Sequence, residues 1–554
     1  MTDQPRSPSP SRSGRARRAV YALAFALGLG GGAAGLLGAQ DDLRSQLDLF
    51  GIVLYEIQTE YVETVANQEL VESAVRGLLE TLDPHSVYMP KERYARFTEQ
   101  FRDNYSGIGI QFEVRRGELI VISPLEGTPA FRMGMRAGDR IVKVDGKPVP
   151  ATIANEDVFR LLRGPEGSSV KVEVRRGAQP EPLVFDLVRA RIPQESVRYA
   201  HMIRPGVGYV RVVRFASATG LELDRALDKL KAQGMKQLLV DLRFNSGGLL
   251  HQAVEVSNLV LPPGQRVVYT RGRLRSASAD YYTDDRNTKY TDLPLVVLID
   301  HGSASASEIF AGAVQDLDRG LVVGTTSFGK GLVQNQMQLS DGSALLLTVA
   351  KYYTPSGRLI QRDYSDRESY QMDVWKEDAA PESVLARRPR FTTAGGRTVY
   401  GGGGITPDVV VPSQRFSQRQ AEIEQAGALF EAATRLAPPL RGRYGRFEDF
   451  LAGYRPDEAA LAVLRSELER DSVRLADSAW VGEREYVTRR LKAEIGGNLF
   501  GLDARYRVDI TGDRQLQRAL ESFPEASKLL SSAGRLPGKP GRPPLDETAT
   551  TGRR

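Results

Sequence analysis

The chain has 554 residues, which predicts about three or four domains of roughly 150 residues each. Its 41% hydrophobic and 26% charged residues exclude a collagen-like, wholly disordered or polytopic membrane protein, and the lack of cysteine excludes disulfides and thiol catalysis. The net charge of +6 comes from cationic segments at 1–18 and 531–554, so the rest is nearly neutral and no nucleic-acid partner is expected.

The first forty residues have the pattern of an export segment. Residues 19–39 carry no charge, and about 20 helical residues span a bilayer core. Arginines precede this segment and Asp41 and Asp42 follow it, which predicts a basic cytoplasmic tail at 1–18 and export of everything after residue 40. We therefore expect a signal anchor or transmembrane helix at 19–39 in the inner membrane, with the folded part on the periplasmic side. A cleaved signal peptide is the alternative, although Leu37 fits its cleavage site poorly.

Residues 41–100 are predicted to form an N-terminal helical region. Apolar residues recur at three- and four-residue spacing at 47–62 and again at 71–82, the spacing of one helix face. Asp83-Pro84 then ends the second helix, because the residue before a proline avoids the helical conformation.

Residues 101–190 change to short strands and glycine turns. Four runs of alternating or continuous apolar residues predict strands, at 108–114, 119–124, 140–146 and 170–176. Asp145-Gly146 is a hairpin turn signal. One helix is predicted at 155–164, with Asn155 as its N-cap.

This module resembles the bacterial type of PDZ domain. Ser106 to Ile110 read SGIGI at its start, and Pro129-Ala130 precedes GMRAGDRI at 134–141. The resemblance implies that a peptide C-terminus adds to a sheet edge while backbone N–H groups bind its carboxylate. Glycines suit such a loop because they let these donors converge on an anion. The candidate loop residues are Gly107, Ile108, Gly109 and Ile110; alternatively, the two glycines only form a bulge before a strand.

Residues 191–413 alternate between strands and helices, which predicts successive β-α units and a largely buried sheet. The predicted strands are 206–215, 236–243, 293–300 and 320–326, and the predicted helices are 221–234, 249–260 and 305–317. Residues 414–530 read as charged amphipathic helices whose apolar stripe serves packing or dimerisation. The Pro-, Gly- and Arg-rich tail at 531–554 is expected to be disordered.

The turn after the strand at 293–300 is the candidate for nucleophilic chemistry. A serine between a strand and a helix is exposed near the partly positive helix N-terminus, but its hydroxyl needs a base. His301 precedes Ser305 by four residues at a tight turn, where it reaches back poorly, so it is interpreted as a turn residue. Lys330 lies between two glycines, and a shielded lysine can act as a neutral base. A Ser-His-Asp hydrolase is a further alternative.

The same region resembles the carboxy-terminal processing proteases, also called tail-specific proteases. Residues 303–308 read SASASE, and segments at 82–86, 241–249, 353–358 and 404–408 agree with the family pattern. The resemblance spans about residues 45–412. It implies an α/β (α+β) multidomain fold, with a crotonase-like protease core at 191–413, an inserted PDZ domain and helical N- and C-terminal elements.

The family's lysine base follows its nucleophile by 25 residues, which selects Ser305 as the partner of Lys330. The resemblance implies that Gln334 orients this lysine and that no cofactor is required. Backbone N–H groups of Ala306 and of either Gly247 or Gly248 would form the oxyanion hole. We expect Ser303 and Ser307 to cap the helix, and Asp241 and Arg243 to form a structural ion pair.

The family thus implies an exported serine endopeptidase that recognises polypeptide C-termini and cleaves peptide bonds through an acyl-enzyme. Its expected partners are polypeptides with accessible C-termini, the membrane through 19–39, a second copy of the chain and an adaptor protein. The four histidines lack H-x-x-x-H spacing, so no metal is expected. The alternative is a non-catalytic PDZ scaffold or adaptor of the cell envelope.

Overall fold

The computed structural model describes residues 30–177, 179–286, 288–372 and 382–533. The predicted tail at 1–18, the first part of the predicted anchor and the tail from residue 534 lie outside these residues. Within them, no helix is both long and apolar enough to cross a membrane. The chain divides into two compact units, Met1–Asp83 and Pro84–Arg554.

The first unit contains two helices in its described part, α1 (Gly30–Glu60) and α2 (Asn67–Glu80). They cover most of the two apolar stretches of the sequence, so both predicted helices are confirmed. Helix α2 ends at Glu80, three residues before Asp83, which agrees with the preference of the residue before a proline for a non-helical backbone.

The second unit begins with β1 (Val87–Met89) and α3 (Lys91–Glu99) and continues into a strand-rich module. Its strands form a sheet in the order β3-β4-β5-β7-β8, with β6 beside β5, while β2 pairs with β9 where the chain enters and leaves. The predicted strands and helix are confirmed. The elements are β2 (Asn104–Gly107), β3 (Ile110–Arg115), β4 (Glu118–Pro124), α4 (Pro129–Arg132), β5 (Arg140–Val144), β6 (Lys147–Pro148), α5 (Asn155–Leu162), β7 (Ser169–Arg175), β8 (Leu183–Val188) and β9 (Ala190–Pro193).

Local turn chemistry sets two boundaries in this module. Asp145 and Gly146 both have positive φ and join β5 to β6, which confirms the predicted hairpin turn. The prediction of Asn155 as N-cap is wrong, because Ala154 is the N-cap and Asn155 is the first helical residue. The carboxylate of Asp157 accepts a hydrogen bond from the Ala154 N–H at 3.2 Å, which starts the helix one residue earlier.

The region predicted to alternate between strands and helices contains a six-stranded sheet in the order β10-β11-β12-β15-β16-β21, parallel from β11 onward. Every residue of β15 and β16 is buried, as expected of a parallel sheet covered on both faces. The predicted β-α alternation is confirmed. The elements are β10 (Val197–Arg204), β11 (Val207–Val212), α6 (Thr219–Ala232), β12 (Gln237–Asp241), α7 (Leu250–Val260), β15 (Leu295–Ile299), α8 (Ala306–Asp316), β16 (Leu321–Gly324) and β21 (Val409–Val410).

A second, antiparallel sheet lies in the same unit and has no counterpart among the predicted elements. Its order is β1-β18-β13-β14, with β17 paired to β18. These elements are β13 (Arg266–Gly272), a 3-10 turn (Arg275–Ala277), β14 (Ala279–Tyr282), β17 (Leu332–Gln338) and β18 (Ala344–Tyr353). Helix α9 (Arg367–Met372), α10 (Glu382–Leu385) and the hairpin β19 (Arg390–Thr392) and β20 (Thr398–Tyr400) follow.

The C-terminal region is helical, which confirms that prediction, and most of it has a hydrophobic core of its own around Phe450, Leu464 and Leu491. The last two helices instead pack Leu516 and Phe523 against the central sheet. The helices are α11 (Gln418–Ala426), α12 (Ala428–Leu440), α13 (Phe447–Gly453), α14 (Glu458–Arg470), α15 (Asp477–Phe500), α16 (Leu502–Asp509), α17 (Arg514–Glu521) and α18 (Phe523–Ala533), with a 3-10 turn at Ile510–Gly512.

His201 on β10 is expected to make the stability of the fold sensitive to acid. Burial, followed by the charge of Arg507, lowers the pKa of His201 from 6.5 to about 4. Between these values the folded state binds fewer protons than the unfolded chain. Stability present above pH 6.5 is therefore lost as the pH falls through this window, by about 3 kcal/mol.

We expect His201→Gln to lack this component of the pH dependence. Denaturant unfolding of both proteins between pH 7 and 4 measures it, and the difference between them isolates His201 from the titrating carboxylates. The same loss of stability in both proteins would contradict the assignment.

Candidate active site

Ser305 lies at the turn between β15 and α8, where it is the N-cap of the helix. Its φ of +53° is a left-handed conformation that non-glycine residues rarely adopt and that functional turns often contain. The expectation that Ser303 and Ser307 cap the helix is wrong. Ser303 Oγ donates to the Leu242 carbonyl at 2.8 Å and Ser307 Oγ to the Asn245 carbonyl at 2.9 Å, so both attach the turn to the loop after β12.

A buried carboxylate connects the serine turn to the lysine loop. Glu308 Oε2 accepts from the N–H of Ser305 at 2.8 Å and from that of Lys330 at 2.9 Å. Its Oε1 accepts from the Gly329 N–H at 2.7 Å and from Ser327 Oγ at 2.6 Å. Burial raises the pKa of Glu308, and these hydrogen bonds oppose the shift because they favour the ionised form. One side chain therefore positions the backbone of both candidate catalytic residues.

Lys330 occupies the glycine-flanked loop before β17, as predicted, and Gln334 follows it on that strand. Lys330 Nζ donates to Gln334 Oε1 at 2.8 Å. The other end of the same amide, Gln334 Nε2, donates to the backbone carbonyl of His85. Because that bond uses the amide nitrogen, the oxygen of Gln334 must face the lysine. This geometry suits the orienting role that the family implies.

Tyr352 on β18 provides a second connection between the two residues. Its hydroxyl lies 2.6 Å from the Lys330 carbonyl and 3.2 Å from the Ser305 carbonyl. The side chain is buried, which raises the pKa of Tyr352 far above its ordinary value and keeps the phenol a neutral donor.

The three predicted catalytic side chains line one cleft of about 380 Å³. Its walls are partly apolar, and the apolar side chains are those of Phe97, Phe101, Leu249, Leu250, Ile309, Leu332, Val333 and Leu346. His251 and His301 are not among the lining residues, which gives the Ser-His-Asp alternative no support. Ser305, Lys330 and Gln334 are thus brought together, as the sequence predicted.

The loop after β12 carries the predicted oxyanion donors. Phe215 N–H donates to the Gly247 carbonyl at 2.9 Å, and the Leu249 N–H donates to the Phe215 carbonyl at 2.9 Å. A Cβ on Gly247 would lie 2.8 Å from Ser305 Cβ, and one on Gly248 would lie 2.1 Å from the Phe215 carbonyl oxygen. Only glycine therefore lets this loop approach the serine turn so closely.

The two glycine amides differ in their hydrogen bonds. The N–H of Gly247 donates to Asn245 Oδ1 at 2.9 Å. The N–H groups of Gly248 and of Ala306, the first residue of α8, have no acceptor within the described residues. The donors available to a ligand in the cleft are therefore those of Ala306 and Gly248.

The predicted peptide-binding loop lies at the start of the sheet edge formed by β3. Gly109 has φ +80°, and a Cβ there would lie 2.3 Å from Thr128 Cβ. The carbonyls of Ile108 and Gly109 accept from Ala130 and Leu125, whereas their N–H groups have no acceptor in the described part of the chain. The side chains of Ile108 and Ile110 are buried in the module's core, and Gly107 ends β2. The loop thus offers backbone N–H groups rather than side chains.

Other polar residues near the site have structural roles. Asp241 and Arg243 form a buried ion pair at 2.7 Å, which confirms that prediction. Among the described residues, no group of three or more His, Asp or Glu side chains is arranged to hold a metal ion. Sequence reasoning missed Glu308, Tyr352 and Asn245. The S-x-x-E spacing of Ser305 and Glu308 is a capping-box signal that could have indicated the first of them.

Three family models match the chain. Peptidase family S41 matches residues 206–366, the PDZ domain matches 120–176, and the N-terminal domain of the activating protease CtpB matches 40–93. The peptidase match contains Ser305, Lys330 and Gln334, and the PDZ match lies within the strand-rich module.

Curated relatives carry names that agree with these matches. A carboxy-terminal-processing protease of Bartonella bacilliformis is 39% identical over 327 residues, 58% of this chain and 74% of the relative. The carboxy-terminal processing protease CtpA of Bacillus subtilis is 35% identical over 319 residues, 57% of this chain and 67% of that protein.

Two solved structures are also similar. A photosystem II D1 C-terminal processing protease is 29% identical, covering 66% of this chain and 86% of the other, with a TM-score of 0.34. A PDZ domain of a carboxy-terminal protease from Vibrio cholerae, solved with a peptide, is 31% identical over 16% of this chain and 99% of that domain, with a TM-score of 0.15.

Proposed function

Because the chain belongs to the carboxy-terminal processing proteases of peptidase family S41, which are serine proteases, we propose that it is an exported endopeptidase with a Ser305/Lys330 dyad. One observation carries the proposal: a single buried carboxylate, that of Glu308, binds the backbone N–H of both residues, whose side chains line one cleft. The Lys330–Gln334 hydrogen bond supports the same assignment.

The first step is attack on the peptide carbonyl. Lys330 acts as the neutral amine and accepts the proton of Ser305 as Oγ forms a bond to the carbonyl carbon. Gln334 Oε1 accepts one N–H of the amine and so orients the Lys330 nitrogen. The carbonyl oxygen becomes an oxyanion and accepts from the N–H groups of Ala306 and Gly248. These backbone donors need no reorganisation, and one such donor contributes about 10²–10³ in rate.

The second half of the reaction releases the two products in turn. Lys330, now an ammonium, donates its proton to the leaving amine nitrogen as the carbon–nitrogen bond breaks, which leaves an ester on Ser305. A water molecule then gives its proton to Lys330 and attacks the ester carbon. Collapse of that intermediate returns the proton to Ser305 and releases the carboxylic acid.

The inserted PDZ domain is proposed to bind the C-terminal end of the polypeptide. The free N–H groups of Ile108 and Gly109 are suited to a carboxylate, and the open edge of β3 can accept an added strand. Export and attachment to the inner membrane through residues 19–39 belong to the same proposal and rest on the charge pattern around that segment. A second copy of the chain and an adaptor protein remain its proposed partners.

The rival function is a PDZ scaffold without catalytic activity, and digestion of unfolded casein separates the two. We expect the full chain to convert casein to peptides, and to lose this activity when Ser305 is changed to alanine. Fluorescence anisotropy with a labelled C-terminal peptide serves as the control for binding. Peptide binding without any cleavage would support the scaffold instead.

A further inference from the structure

Arg214 is the feature of the active-site cleft that the proposed mechanism does not use. The residue follows β11 and lines the cleft together with Ser305 and Lys330. No aspartate or glutamate is among the lining residues in the described part of the chain. As far as the described residues line it, the cleft therefore contains one permanent cation and no opposing charge on its surface.

The backbone of Arg214 lies next to the candidate oxyanion loop. Its neighbour Phe215 pairs with that loop, donating to the Gly247 carbonyl and accepting from the Leu249 N–H, both at 2.9 Å. A group bound by Arg214 would therefore belong to a part of the substrate within a few residues of the cleaved bond.

The guanidinium of Arg214 is only partly hydrogen-bonded to the described residues. Its Nη2 donates to the Gln194 carbonyl, whereas its Nε is buried without a partner among the described residues. No carboxylate oxygen of those residues lies within 4.0 Å of it. Burial lowers the pKa of Arg214, the direction expected for a cation taken from water without a close counterion.

The two carboxylates that attract Arg214 electrostatically are hydrogen-bonded to other donors. Glu222 Oε2 accepts from the N–H groups of Ser196 and Val197 at 2.6 and 2.9 Å. Asp103 accepts from Ser217 Oγ and from the Ala218 N–H, each at 3.1 Å. Both acids attract Arg214 only at longer range, and neither supplies the two-pronged contact that a guanidinium prefers.

We propose that Arg214 binds a carboxylate of the substrate inside the cleft, so that the protease prefers peptides with an acidic group close to the cleaved bond. This inference rests on the proposed function. The carboxylate can belong to an Asp or Glu side chain or to the free C-terminus of a short substrate. The planar guanidinium suits either source because it offers paired N–H donors to two oxygens.

A purely structural role for Arg214 makes a different prediction. Gln194 directly follows β9, where the chain leaves the strand-rich module, so the bond from Arg214 also attaches that exit to the core. Loss of an attachment would slow the cleavage of all peptides alike. Loss of a carboxylate site would slow only the acidic ones, so the ratio between matched peptides distinguishes the two roles.

The experiment uses the full chain and internally quenched peptides of one parent sequence. In the first arm, the peptides are C-terminally amidated and Glu is placed at each position in turn. Each Glu peptide is compared with the same peptide that has Gln at that position. In the second arm, the Gln peptides are compared with and without a free terminal carboxylate. The value of kcat/KM is measured for the wild type, Arg214→Gln, Arg214→Lys and Arg198→Gln. Arg198 is an exposed arginine that also influences Arg214 but does not line the cleft, so its variant controls for net charge.

We expect the wild type to prefer the acidic member of at least one pair by about ten-fold. Arg214→Gln should bring this ratio close to one, Arg214→Lys should leave an intermediate ratio, and Arg198→Gln should preserve it. The preference should also weaken with added salt, because partly exposed charges are screened. A preference in only one arm identifies the source of the carboxylate and supports the proposal.

Equal cleavage of both members of every pair by the wild type would overturn the inference while leaving the protease assignment intact. An equal loss for both members in Arg214→Gln would overturn it too, in favour of the structural role. Failure of the wild type to cleave any peptide or casein would instead reject the proposed function, and with it this inference.

Discussion

Replacing Ser305 by alanine is expected to reduce kcat/KM for an unfolded protein substrate by about 10⁴-fold or more, because the acyl-enzyme cannot form. Replacing Lys330 by alanine should cause a loss of similar size, since the serine hydroxyl is inert without its base. The two losses should not add in the double variant, because the residues act as one unit. Initial rates of casein or quenched-peptide cleavage measure these effects.

Matched variants control for changes in folding. Ser466→Ala and Lys351→Ala alter exposed residues outside the cleft and should keep wild-type rates. Binding of a C-terminal peptide and the unfolding transition should be retained in the Ser305 and Lys330 variants. If Lys330→Ala turned over at a near-normal rate while His301→Ala or His251→Ala did not, the dyad would be the wrong assignment.

The second large effect is expected at Glu308, whose carboxylate binds the backbone N–H groups of the two proposed catalytic residues. In Glu308→Gln one carboxylate oxygen becomes an NH₂ group, which must face donors that need an acceptor. Either the pair from Ser305 and Lys330 or the pair from Gly329 and Ser327 then loses its partner. We expect kcat to fall about 100-fold and the free energy of unfolding to fall by about 2–4 kcal/mol.

A positioning role can be separated from general destabilisation. The KM should change much less than kcat, and activity should stay low at temperatures where the variant is fully folded by circular dichroism. Glu521→Gln, at an exposed position of α17, is the matched control and should resemble the wild type. Wild-type kcat in a folded Glu308→Gln protein would show that these four hydrogen bonds are not needed for catalysis.

Local patterns predicted most of the elements that surround Ser305. The apolar run of β15 and the small residues before α8 are contiguous, so periodicity and turn residues identify the strand, the turn and the helix. The hairpin turn at Asp145-Gly146 was likewise predicted from neighbouring residues alone. The placement of the N-cap at Asn155 failed by one residue, because the Asp157 side chain and not the intrinsic preference of asparagine set the start of α5.

The antiparallel sheet of β13, β14, β17 and β18 was not predicted, although it carries Gln334 and Tyr352. Strand β17 has the sequence LVQNQMQ, and its last four residues are exposed, so it lacks a hydrophobic period that would reveal it. Its pairing with β18 depends on main-chain partners and not on its own side chains. The contact between Tyr352 and Lys330 was also not predictable from the sequence, because 22 residues of chain separate them.

The sequence alone determined the residue types of the proposed chemistry, the family resemblance that pairs Ser305 with Lys330, and the order of the β-α units. Each of these is encoded in neighbouring residues or in their spacing. Only the tertiary structure decided that Glu308 joins the loops of Ser305 and Lys330. It also decided that, among the described residues, Gly247 but not Gly248 has an acceptor for its amide and no carboxylate forms an ion pair with Arg214 in the cleft. Those features depend on which distant donors and acceptors meet, and hydrogen bonds between distant segments leave no periodic trace in a sequence.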